Sequence, residues 1–151
     1  MQLNLPKYKL SIKTKEEKSY VFDIIRKKYI VLTPEEWVRQ NFLHYLLEEK
    51  QFPKGLTTVE QRLKFHGMDR RADIATYTNA GKILVVTECK APKIKITQKT
   101  FDQIARYNMV LKAKYLLVTN GLSHYCCRYT ADDEYTFLKE IPNYKSIQHE
   151  L

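Results

Sequence analysis

Hydrophobic and polar positions follow two periods along this chain, and the changes of period mark its elements. From Leu56 to Phe65, Val59, Gln61, Leu63 and Phe65 fall on one side of an extended chain, and Glu60, Arg62 and Lys64 on the other. That alternation predicts a half-buried strand. The turn His66-Gly67-Met68-Asp69 leads into Arg70 to Lys90, which predicts two strands joined by Thr78-Asn79-Ala80-Gly81. The second holds the run Ile83-Leu84-Val85-Val86, apolar enough for burial on both faces. Tyr115 to Thr119 predicts another short apolar strand, closed by Asn120-Gly121. Tyr125 to Tyr129 and Tyr135 to Leu138 predict a hairpin through Ala131-Asp132-Asp133, with a short tail from Pro142. His66, alone in its turn, reads as a solvated residue.

Two segments switch to the helical period. Val38, Phe42, Tyr45, Leu46 and Glu49 recur at spacings of three and four, broadened by Trp37 and Leu43. Thr33-Pro34-Glu35-Glu36 starts this helix, with Thr33 as N-cap, Pro34 at the first helical position and Glu36 completing a capping box. It is expected to reach about Lys50, before Pro53 and Gly55. Glu35 lies on the line through Val38 and Phe42, which aims it at the sheet; the competing role for both glutamates is the helix dipole. A second helix follows Thr97 over roughly Gln98 to Lys112, with Phe101, Ile104, Ala105 and Met109 apolar. Gln103 and Tyr107 share one of its faces a turn apart.

Residues 1–32, with apolar runs at 3–12, 20–25 and 29–32, predict an N-terminal extension of strands over one edge of the main sheet. The order helix, strand, strand, strand, helix, strand predicts an α/β fold, a central mixed sheet flanked by helices with extra N- and C-terminal strands. With 151 residues, one domain over 1–151 is expected, its core at 33–140.

Charge narrows the partner. Lysine and arginine number 26 against 17 acidic residues, a net +9 that favours a polyanion and makes nucleic acid the expected ligand. Cys89, Cys126 and Cys127 match neither a disulfide framework nor a zinc spacing, so a reduced, cytoplasmic compartment is expected. MQLNLPKYKL lacks a signal-peptide core, and no apolar run approaches the roughly 20 residues that span a bilayer. No membrane partner is expected.

Asp73 lies on one strand of the central hairpin, and Glu88 and Lys90 at the end of the other, on one side of it. Charges at the end of a buried strand are costly unless paired or bound. Two adjacent carboxylates make a hard oxygen site suited to Mg²⁺, with Mn²⁺ as a substitute and the backbone carbonyl of Cys89 as a further ligand. Lys90 then serves to orient water or to stabilise a crowded phosphate. The plainer alternative is an ion pair between Glu88 and Lys90. Arg70, Arg71, Lys93, Lys95, Lys99 and Arg106, with Arg62 and Lys64, are candidate phosphate contacts or simply a solvated basic face.

Arg71-Ala72-Asp73 and Glu88-Cys89-Lys90, with 14 residues between the acids, resemble the PD-(D/E)XK nuclease signature. Gln103 to Tyr107 resembles the Q-x-x-x-Y motif of the RecB-like branch. TPEEWVRQ, RRADIATY, VVTECKAP, FDQIARYN and YLLVTNG, in that order, resemble the N-terminal domain of type I restriction enzyme R (HsdR) subunits over Val31 to Leu138. Ala72 stands where the superfamily signature has proline. The resemblance implies a restriction-endonuclease-like fold and Mg²⁺-dependent cleavage of DNA by Asp73, Glu88 and Lys90. It also implies Gln103 and Tyr107 beside the active site, and Glu35 or Glu36 near the metal. R subunits carry ATP-driven translocase domains, but no phosphate-loop motif occurs here, so this chain has no ATP site. Translocase and specificity subunits are implied partners, and a homodimer if both strands are cut. The competing readings are a DNA-binding or assembly module with a nuclease fold, and an RNA binder that stacks bases on its tyrosines.

Overall fold

The computed structural model describes residues 1–65, 67–132 and 134–149. His66 and Asp133, expected in turns, lie outside the described residues, as do Glu150, Leu151 and the side chains of Phe65 and Met68.

The N-terminal strands form a sheet of their own. β1 (Ile12–Lys15), β2 (Lys18–Asp23) and β3 (Lys28–Val31) pair antiparallel in that order. This corrects one expectation, since no strand forms over residues 3–11; the three strands pair among themselves and not with the main sheet. Pro6 has no N–H to give a ladder, and Lys7 and Lys9 stay in water. The stretch around Asn4 instead runs beside a distant turn, its N–H donating to Gly121 O at 2.8 Å and its carbonyl meeting His124 Nε2 at 2.8 Å. Gly121 is required there. Its φ is +87°, and an added Cβ would fall 2.7 Å from Leu3 Cδ2.

α1 spans Pro34–Glu48, two residues short of the expected end. Thr33 Oγ1 accepts from Glu36 N at 3.0 Å, so the cap forms. The box does not close, because the Glu36 carboxylate turns inward to Arg26, Arg39 and Gln40. Val38, Phe42, Leu43 and Leu46 are buried as their spacing requires, but so are Arg39, Gln40 and Asn41. One side of α1 is therefore a polar network. Gln40 donates to Asp23 at 2.8 Å and Arg26 reaches Glu36 at 3.1 Å, tying the helix to the turn after β2.

A 3-10 turn at Lys54–Leu56 leads into the large sheet. Its strands are β4 (Thr57–Phe65), β5 (Met68–Tyr77), β6 (Ile83–Cys89), β7 (Tyr115–Thr119), β8 (His124–Tyr129) and β9 (Tyr135–Leu138), adjacent in chain order. All pair antiparallel except β6 with β7, which α2 (Gln98–Leu111) connects as a crossover. Lys112, left-handed at φ +56°, stops α2 at the expected place. The architecture is a large mixed sheet flanked by few helices.

Each face of that sheet carries its own core. Val38, Phe42 and Leu46 of α1 pack with Val59, Ile74, Val85 and Leu117. Phe101, Ile104 and Ala105 of α2 pack with Ala75, Val86, Leu116 and Cys127. The expected tail is not a tail. Tyr144–Ile147 form a short α3 whose Tyr144 and Ile147 join the first core, with Tyr144 Oη donating to Tyr77 O at 3.0 Å. A single apolar turn has too few repeats to show a period, which is why the sequence hides it. Among the described residues no helix is long and apolar enough to cross a membrane.

Candidate active site

The strand alternation slips at Asp73. Ile74 packs on the α1 side, while Ala72 and Ala75 both pack on the α2 side. A regular strand would put 72 and 75 on opposite faces. Across the ladder, Val59 pairs with Ile74 and Gln61 with Ala72, and Glu60 between them is left-handed at φ +55°. That conformation costs a non-glycine residue roughly 1–2 kcal/mol. Ion pairs hold it, from Glu60 to Arg39 at 2.8 Å and to Arg71 at 3.9 Å.

Arg39, buried on α1, is the hub of the site. Its Nη2 meets Asp73 Oδ1 at 2.7 Å, Glu60 Oε1 at 2.8 Å and Glu35 Oε2 at 3.3 Å, while Nη1 donates to Glu36. Burial opposes its charge, but the carboxylates of Asp73 and Glu36 prevail and raise its pKa. The second oxygen of Asp73 accepts the backbone N–H of Cys89 at 2.7 Å. The sequence had offered the Cys89 carbonyl to the site; the contact seen here is through its N–H. The Cys89 thiol is buried, and burial pushes it up, so it is inert as a nucleophile.

Glu88 sits at the end of β6 with 5% of its surface exposed, and its Oε1 has no hydrogen-bond partner. Burial first, and then the Asp73 carboxylate to which it hydrogen-bonds, push it up to about 8. Both effects favour the protonated form of Glu88. Lys90, one residue past β6, is half-buried. Among the described residues it makes no ion pair with Glu88, so the plainer reading of this pair fails. Its charge acts through space, favouring the ionised forms of Glu88 and Glu35.

The two helix glutamates part company. Glu36 is consumed by Arg26, Arg39 and Gln40. Glu35 keeps 47% of its side chain exposed and lies within the fields of Asp73 and Lys90; burial and Asp73 raise its pKa. On the α2 side, the Arg70 guanidinium lies 4.2 Å from the centre of the Tyr107 ring. Burial raises the Tyr107 pKa, Arg70 opposes the rise and Glu88 adds to it, so the ring lies within the field of Glu88. Gln103, one turn earlier, is exposed and is not brought into contact with them. Of the basic candidates, Arg70 is engaged with Tyr107 and Arg71 weakly with Glu60, whereas Lys93, Lys95, Lys99 and Arg106 are exposed. Arg62 is paired with Asp69 at 2.7 Å.

Sequence reasoning missed Arg39 and Glu60. Arg39 was readable, standing three and four residues after Glu36 and Glu35 on the sheet-facing side of a capped helix. Glu60 was not, because plain alternation sends it outward.

Residues 34–142 match the sequence profile of the type I restriction enzyme R protein N terminus (HSDR_N). The chain belongs to this family. The matched span opens at the first residue of α1 and runs past β9, so Glu35, Arg39, Glu60, Asp73, Glu88, Lys90 and Tyr107 lie inside it, whereas Arg26 does not. The three-stranded sheet and α3 lie outside it. No individually curated protein matches the chain.

Proposed function

We propose that this member of the R-protein family is a metal-dependent DNA endonuclease domain of the PD-(D/E)XK type, with Asp73, Glu88 and Lys90 as its catalytic set. One observation carries the reading. Asp73 and a buried Glu88 whose Oε1 has no hydrogen-bond partner meet on adjacent central strands, and the lysine at the strand end makes no ion pair among the described residues. A buried carboxyl oxygen without a partner costs roughly 1–3 kcal/mol, and a cation is the ligand that would remove that cost.

The donor set fits Mg²⁺ or Mn²⁺, since it is all oxygen and carries few dedicated ligands. Asp73, Glu88 and the Cys89 carbonyl would hold the ion, with Glu35 rather than Glu36 on its solvent side. Bound there, the ion supplies an acidified water and charge neutralisation at the scissile phosphate. The chain does the rest. Lys90 offers a compact positive charge to the phosphate, worth a factor of about 10²–10³ for a donor of this kind. Tyr107, backed by Arg70, and Gln103 border the substrate path. Lys93, Lys95, Lys99 and Arg106 contact the DNA backbone. Translocase and specificity subunits deliver the DNA, and cutting both strands brings two copies together.

A second reading, an assembly module with weak turnover, draws on the Arg39–Asp73 pair, which occupies one of the proposed ligands. Plasmid nicking by the purified chain with Mg²⁺, Mn²⁺ or EDTA, beside Asp73→Ala and Lys90→Ala, separates the two. Metal-dependent nicking lost in both variants supports the nuclease. Equal inertness of all three chains, with metal still bound by the wild type, supports the module.

A further inference from the structure

We propose that Arg39 is an internal cation that holds the carboxylates together in the metal-free chain and surrenders Asp73 when a divalent ion binds. Metal affinity is then set by competition with this guanidinium. The inference rests on the functional reading above, which gives Arg39 no part.

Three carboxylate oxygens from α1, β4 and β5 lie within 3.3 Å of the single atom Nη2. That nitrogen carries two protons, so it cannot satisfy all three with linear hydrogen bonds. Charge holds at least one of them. Carboxylates gather around a metal in the same way, but the spacing here is wrong for one. Nitrogen-to-oxygen distances of 2.7–3.3 Å exceed the roughly 2.0–2.1 Å that Mg²⁺ demands. Among the described residues no three His, Cys, Asp or Glu side chains are arranged to hold a metal ion.

Arg39 is also the one cation within 4.0 Å of Asp73 among the described residues. An ion drawn to Asp73 therefore meets a guanidinium already on Oδ1, and like charges cannot share that oxygen at close range. The device for release is present. Nη1 is bound to Glu36, and Glu36 is fixed by Arg26 at 3.1 Å and Gln40 at 2.9 Å. Arg39 keeps that anchor, and its charge partner, after Nη2 lets Asp73 go.

The test is a Mn²⁺ titration of the full chain by calorimetry, for wild type, Arg39→Met, Arg39→Lys and Asp73→Asn. Arg39→Met is expected to bind Mn²⁺ at least tenfold more tightly, with a melting temperature that drops without metal and is restored by it. Arg39→Lys, which keeps the charge but loses the planar fork that reaches Glu36 and Asp73 through separate nitrogens, is expected to fall between. Equal or weaker binding by Arg39→Met, with wild type binding well, overturns the inference and leaves the nuclease reading standing. Wild type that binds no Mn²⁺, or binds it no better than Asp73→Asn, overturns both. If Arg39→Met does not fold, ¹⁵N guanidinium spectra of the wild type decide. Slow rotation of the Arg39 group, relieved on adding Mg²⁺, supports the exchange, and signals unchanged at saturation overturn it.

Discussion

Arg39 and Asp73, 34 residues apart, meet at 2.7 Å between the first helix and the middle of the sheet. Their pairing makes the site a closed ion cluster, with Asp73 held on both oxygens. Breaking a buried ion pair from one side costs about 3–5 kcal/mol, because the remaining charge is stranded. Asp73→Ala is therefore expected to lower the stability of the metal-free chain by about that much as well as to abolish nicking. Urea unfolding in EDTA checks it, and a loss below about 1 kcal/mol would mean that Arg39 is amply held by its other partners.

Glu88 makes stability depend on pH. Its folded pKa of about 8 lies above the ordinary value of 4.5, so between the two the folded chain binds more protons than the unfolded one. The contribution is full below the unfolded value and is lost as pH rises toward 8. In EDTA the melting temperature is expected to fall by about 5 °C or more from pH 5 to pH 8, and Glu88→Gln to flatten that slope. The same slope in both chains would remove Glu88 as its source.

Lys90 separates chemistry from folding. It is half-buried and makes no ion pair among the described residues, so Lys90→Ala is expected to change stability by less than about 1 kcal/mol while nicking falls about 10²- to 10³-fold. Lys90→Arg is expected to recover only part of the rate, since a planar fork replaces a point charge. Paired rate and melting measurements check both statements.

Salt dependence tests the proposed DNA contacts. If Lys93, Lys95, Lys99 and Arg106 each neutralise a phosphate, replacing all four by Gln is expected to reduce the slope of log K against log salt by about 3–4. Binding of a short duplex in EDTA, over a range of KCl, measures it. An unchanged slope would make these four a solvated face.

Tyr144 tests the C-terminal helix. Tyr144→Phe removes the hydroxyl that donates to Tyr77 O and is expected to cost about 1 kcal/mol. Tyr144→Ala empties a place in the α1-side core and is expected to cost about 3–5 kcal/mol. Nicking by the folded fraction should not change.

The sequence by itself determined the elements from Thr33 to Leu138, because long runs with a clear period of two or 3.6 leave little choice of structure. Caps and turns agreed with those periods at Thr33, Gly81 and Thr97. The positions of Asp73 and Glu88 on those strands, and of Lys90 just past the second, were legible for the same reason, as was membership of the R-protein family through the motifs they stand in. Three things waited for the tertiary structure. The slip at Asp73 and the left-handed Glu60 turn an outward residue inward, and alternation carries no trace of either. Arg39, Glu36 and Gln40 of α1 became a buried network only because Asp23 and Arg26 were brought to them by a separate small sheet. The raised pKa of Glu88 comes from burial and from a neighbour 15 residues away in sequence, and both exist only once the sheet has closed. Local periodicity encodes which face a residue presents. Which charges share that face is decided by packing, because the low-dielectric interior makes their energies depend on distances that the chain alone does not set.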